Sequence, residues 1–168
     1  MVVKHASRGF TLIELLVALV IIGLFTGLIS GIMQPDERAL LQVEAERLAQ
    51  LLDLAGTEAR MSGKSIAWTA DGASYRFWSY RTGTGWSEIR NNDLFRQRTL
   101  PQGMKIGSML IEAFPVGNLM RLEFNSHGSM PAYAIKISLG AERYTVEGSP
   151  VGDVRAISEE KKKTDEIG

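Results

Sequence analysis

Glu14 is the residue whose setting most strongly suggests chemistry. It is the one charged side chain in an apolar stretch that begins at Phe10, directly after the basic segment MVVKHASRG. A carboxylate in a membrane segment costs about 2.5–3.5 kcal/mol at the helix centre and less near an end, and it marks a site that needs a partner. The bland alternative is an interfacial acid that snorkels to water. The sharper reading takes the partner from another chain. Cleavage after Gly9 would turn Phe10 into an amino terminus, a cation at the same depth, and low dielectric strengthens that attraction.

Other candidate chemistry is thin. Ser126 and His127 are adjacent in NSHG, a spacing that reads as a hairpin turn, because neighbours on a turn do not reach each other with a third group behind them. The second histidine, His5, lies in the basic leader, and there is no cysteine, so neither a thiolate nor a histidine cluster is available for zinc. Gly83 and Gly85 have no helix after them to complete a phosphate cradle. The aromatic residues from Trp68 to Trp86 could stack sugars or bases, but core packing and cross-strand pairs account for them more simply. Arg90, Arg96 and Arg98, with Phe95 among them, read as a solvated face or as an interaction surface for a partner subunit or DNA. No catalytic residues, metal site or cofactor are expected, and hence no enzyme. With 19 basic against 19 acidic residues, no global pull toward nucleic acid exists.

The elements that must position Glu14 come next. Residues 15–35 carry no charge; as a helix this stretch would be roughly 31 Å long, close to the roughly 30 Å of hydrocarbon it would have to cross. Residues 10–34 are therefore expected to form the transmembrane half of a helix, its start held on the cytoplasmic side by Lys4 and Arg8. A secretory signal peptide would have a shorter apolar region, of roughly 7–15 residues, and a small-x-small cleavage site. Pro35 should kink the helix or open a new one. Residues 35–62 then continue as an amphipathic half, with Leu41, Ala45, Leu48, Leu52, Ala55 and Ala59 on one stripe and Gly63 as a left-handed cap. If continuous, the rod would measure roughly 80 Å.

After Gly63 the period becomes two. Residues 65–69 and 74–80, joined by Asp71-Gly72, read as a hairpin, followed by a strand at 86–89. Further strands are expected at 104–106, 109–114, 119–124, 133–139 and 143–147. The fold class is α+β, a long N-terminal helix packed on small antiparallel sheets, with a globular head over residues 63–157. Residues 158–168, SEEKKKTDEIG, are expected to be a disordered charged tail.

Gly9-Phe10-Thr11-Leu12-Ile13-Glu14 resembles the class III leader of type IV pilins and type II secretion pseudopilins. That resemblance implies a pilin-like fold, a leader of residues 1–9, cleavage after Gly9 by a prepilin peptidase, N-methylation of Phe10, and contact of Glu14 with a neighbouring subunit's amine during assembly. Removal of the leader takes Lys4 and Arg8 and leaves 17 basic against 19 acidic residues. The head is similar to the H-type minor pseudopilins, through SIAWT, YRFW, the glycine turn before GW, and DLFRQRTLPQGMK. Its carboxyl end, EGSPVG, follows that family only loosely. The implied function is a structural minor subunit of a type II secretion pseudopilus that helps export folded proteins across the outer membrane. The implied partners are the other minor and major pseudopilins, the prepilin peptidase and the inner-membrane assembly platform. The implied location is the bacterial inner membrane, single-pass, with the head in the periplasm. The alternative is a minor type IV pilin, structural or a DNA-uptake receptor; the near-neutral charge argues against nucleic acid as a partner.

Overall fold

The structure, a computed structural model, describes residues 11–32, with side chains to Phe25, and residues 36–117, 120–126 and 130–159. The chain divides into two compact units, residues 1–36 and 37–168. The leader, Phe10 and Pro35 lie outside the described residues, and so do His127 and the anticipated kink.

The first unit is helix α1, Leu12–Ile32. Thr11 caps it: its carbonyl accepts from the backbone N–H of Leu15, and its Oγ1 lies 3.3 Å from the N–H of Glu14. α1 is apolar all round, and every described large apolar side chain in it is at least 48% exposed. Among the described residues no helix is long and apolar enough to cross a membrane. The described side chains of α1 stop at Phe25, short of the roughly 20 residues a span requires.

The second unit opens with α2, Glu37–Ser62, which ends where Gly63 takes a left-handed φ of 66°. The whole expected stripe, Leu41, Ala45, Leu48, Leu52, Ala55 and Ala59, is buried, joined by Ala49, Leu51 and Gly56. Two antiparallel sheets receive it. In the first, β1 (Ile66–Ala70) lies between β2 (Ser74–Arg81) and β7 (Met120–Phe124). Along the other edge of β2 run β3 (Gly85–Glu88) and, at the opposite end, the two-residue β4 (Arg98–Thr99). The second sheet has the order β10 (Val154–Ser158), β9 (Glu142–Gly148), β8 (Tyr133–Leu139), β5 (Lys105–Ile111) and β6 (Phe114–Pro115). Trp68, Phe77, Leu122 and Phe124 from one sheet and Ile135, Ile137, Tyr144 and Val146 from the other close the core with the α2 stripe.

The structure differs from the sequence reading in three places. The strands expected at 104–106 and 109–114 are one strand, β5, with a register shift between Ile106 and Ser108. That strand stops at Ile111, because Glu112 and Ala113 both adopt positive φ, 49° and 67°, and turn the chain into β6. At the carboxyl end, β10 is an additional strand paired with β9. Ser158 is its last residue and is buried, and Glu159 pairs with Lys136 at 3.0 Å; residues 160–168 of the expected tail lie outside the described residues.

Candidate functional site

Two places hold the residues singled out above. The first is the start of α1. Thr11 and Glu14 stand three apart, the spacing of a capping box, and the first turn of a helix is where its dipole favours a carboxylate. The backbone of Glu14 is satisfied by Thr11. Among the described residues its exposed carboxylate has no hydrogen-bond or ion-pair partner. An acid that only capped its own helix would turn back onto Thr11; here the carboxylate is left available. Gly9 and Phe10 lie outside the described residues.

The second is the β3–β4 edge of the head. The connection between these strands folds on Asn92, whose Oδ1 accepts from the N–H groups of Leu94 and Phe95. This drives Phe95 into the core, 5.1 Å from the ring of Phe77. Phe95 is thus a packing residue, and the three arginines around it face different surroundings. Arg90 is exposed and pairs with Glu88 at 3.0 Å. Arg96 is exposed, and Arg98 is half-buried. Arg90 and Arg96 share a shallow depression with Arg76, Glu88 and Gln97, whereas Arg96 and Arg98 line a separate recess of about 380 Å³ against α2.

Register explains that recess. Tyr75 pairs with Arg98 across β2 and β4, and directly opposed residues project to the same side of a sheet. Tyr75 faces the core at 1% exposure, so Arg98 is drawn to the inner side, where α2 contributes Glu44 and Arg47, themselves an ion pair. Among the described residues the Tyr75 hydroxyl and the Arg98 Nε are both buried without a partner, as are the Tyr133 hydroxyl and the Trp68 indole nitrogen. Leaving such a group unpaired costs about 1–3 kcal/mol. Burial pushes the Tyr75 hydroxyl up to about 12, against the opposing pull of Arg98. Sequence reasoning missed Tyr75, Glu44 and Arg47 here. The pairing of residue 75 with residue 98 joins two segments that have no shared periodicity, and no local signal reports it.

The remaining aromatics divide by strand alternation. Trp68, Tyr75 and Phe77 face the core. Trp78, Tyr80 and Trp86 lie on the opposite face: Trp78 donates its indole N–H to Thr69 Oγ1 at 2.9 Å, Tyr80 packs on Trp86 at 5.4 Å, and the Arg121 guanidinium lies 4.4 Å from the Trp86 ring centre. Among the described residues no cluster of potential metal ligands occurs.

Comparison with known proteins gives two family matches. The prokaryotic N-terminal methylation motif matches residues 4–30, and the type II transport protein GspH family matches residues 44–152, more than half of the chain. Comparison with the curated proteins gives no significant match. Among solved structures, two of the minor pseudopilin EpsH from the type II secretion system of Vibrio cholerae share the fold. One is 22% identical, with TM-score 0.58, covering 74% of this chain and 98% of its own. The other is 18% identical, with TM-score 0.60, covering 71% and 94%. The type IV minor pilin FimU of Pseudomonas aeruginosa also shares it, at 16% identity and TM-score 0.52, covering 72% and 90%. With an N-methylation motif at its start and a GspH match across its head, the chain belongs to the type II transport protein GspH family and is a minor pseudopilin of type II secretion.

Proposed function

We propose that this minor pseudopilin enters its filament through the start of α1, with Glu14 as the acid that seats it against a neighbouring subunit. Membership of the family carries assembly with other pseudopilins and anchoring at the inner membrane. The observation behind the finer reading is the contrast within α1: an apolar helix exposed on all described faces, whose single carboxylate has a satisfied backbone and a side chain without a partner among the described residues. A helix apolar all round gains stability only by being covered, first by lipid and then by neighbouring rods.

In this reading residues 10–34 span the inner membrane once and the head stands in the periplasm. A prepilin peptidase removes residues 1–9 after Gly9 and leaves a methylated amine on Phe10. That amine is the cation that the Glu14 carboxylate of an adjacent subunit engages while the helix leaves the lipid through the inner-membrane assembly platform. Other minor pseudopilins and the major pseudopilin supply the neighbouring helices. The family is a structural one, and in this reading the assembly energy comes from outside this chain.

Intact-mass measurement of the protein extracted from membranes tests the processing step. The mass expected is that of residues 10–168 plus one methyl group. A retained leader, or cleavage near Gln34, contradicts it.

A further inference from the structure

We propose that the recess between α2 and β4, formed by Arg47, Arg96 and Arg98 around the hydroxyl of Tyr75, is a carboxylate-binding site that takes an acidic group from a neighbouring subunit. The inference rests on the pseudopilin reading for the identity of the partner, while the site itself stands on the geometry of the head.

Three observations carry it. First, the lining is unbalanced: it has three arginines and one acid, Glu44, which is already engaged by Arg47. Arg96 has no ion-pair partner among the described residues. Second, two donors of residues that line the recess, the Tyr75 O–H and the Arg98 Nε–H, are buried with no acceptor among the described residues. Buried donors without partners are uncommon in folded proteins, and a shared acceptor supplied from outside would satisfy both. Third, backbone pairing of β2 with β4 sets Tyr75 directly opposite Arg98, so the two residues that carry these donors are fixed on one side of the sheet. A carboxylate matches this set because its two oxygens accept from a guanidinium and a hydroxyl at once. Both donor atoms are covered in the unbound head, so the exposed Arg96 supplies the first contact with the incoming carboxylate.

A protein carboxylate fits better than a nucleic-acid backbone. The recess, of about 380 Å³, adjoins through Arg96 and Gln97 the depression that holds Arg76 and Arg90. Those two arginines are paired with Asp71 and Glu88, so among the described residues there is no row of uncompensated arginines there of the kind a phosphate chain needs.

The full-length chain in a neutral detergent, labelled with nitrogen-15, is titrated with two peptides: a glutamate-containing peptide amidated at its carboxyl end, and an acid-free peptide with a free carboxyl terminus. The Arg Nε–H resonances are followed. A saturable shift of the Arg98 resonance with either peptide supports the site, and the peptide that produces it identifies side chain or chain end as the source. Affinity falls at least tenfold in Arg98→Gln and Arg96→Gln and several-fold in Tyr75→Phe, and is unchanged in Arg155→Gln. Arg96 is exposed, so its variant keeps the fold and the test remains decisive if Arg98→Gln loosens the edge. No saturable shift in the wild type, equal shifts at all arginines, or undiminished affinity in Arg96→Gln overturns the proposal. So does a duplex DNA that displaces the peptide at lower concentration. Binding in the recess together with Glu14-independent filament entry would sink the assembly reading alone; loss of the recess with Glu14-dependent entry would sink this inference alone.

Discussion

The two helices among the described residues are similar in length and opposite in what their surfaces require. α2 keeps its apolar residues on one stripe and buries that stripe under two sheets, with Leu41, Ala45, Leu52, Ala55 and Ala59 at 0% exposure. α1 distributes apolar residues over all faces, and its described ones remain between 48% and 83% exposed. Burying one such side chain is worth about 1.5–3 kcal/mol. In α2 that free energy holds the head together. In α1 it is still to be gained, from lipid or from other helices. One helix is a component of the fold and the other, in the proposed reading, a component of an assembly, and the sequence period distinguishes them.

The sharpest way to break this comparison is to make the same substitution in both helices. Leu52→Ala removes a fully buried side chain from α2 and should lower the stability of the head by about 2–5 kcal/mol. Leu19→Ala, at a site 61% exposed in α1, should leave thermal unfolding of the head unchanged. Tryptophan fluorescence melting of the full-length protein in detergent reads both, since all three tryptophans lie in the head. Equal losses would mean that α1 supports the fold.

The surface that receives α2 can be tested next by pH. The Tyr75 hydroxyl is raised to about 12 by burial, above its ordinary value near 10, so the fold favours the neutral form. Its contribution is therefore fully present below pH 10 and is lost as pH climbs from 10 toward 12, by on the order of 2–3 kcal/mol. Tyr75→Phe should flatten the alkaline fall in melting temperature. Part of the slope should persist, because burial also raises Tyr133.

Gly148 gives a smaller effect at the far sheet. It pairs with Tyr133 across β8 and β9, and a Cβ there would lie 2.2 Å from the Tyr133 ring. Gly148→Ala should destabilise the head by about 1–3 kcal/mol in a denaturant titration, while leaving α1-dependent membrane association as it was.

The smallest effect belongs to the β1–β2 turn. Asp71 accepts from the Ser74 hydroxyl at 2.9 Å and from the N–H groups of Ser74 and Ala73, and these bonds lower its pKa. Its contribution is present above the ordinary carboxylate range and fades as pH falls through the lowered value. Because Asp71 is exposed, Asp71→Ala should change acid unfolding only slightly.

Much of this architecture is legible in the sequence where the physics is local. The α2 stripe follows from spacings of three and four, the cap from Gly63, and the β1–β2 hairpin from Asp71-Gly72 between alternating segments. Non-local pairing was not legible. β7 joins β1 over a separation of about 50 residues, and the short β10 is an edge strand stabilised by β9, with no apolar alternation strong enough to announce it. The turn at Glu112 and Ala113 uses two residues that do not signal positive φ. Glu14 stood out in the sequence as a charge in an apolar run, whereas the Tyr75–Arg98 recess depends on register alone.

Replacement of Glu14 by Ala tests the central claim most directly, with membrane fractionation and incorporation into sheared pseudopili measured on the same cells. Insertion and head folding should be unchanged, while incorporation should fall by at least tenfold. Normal incorporation of the Glu14→Ala protein would contradict the account.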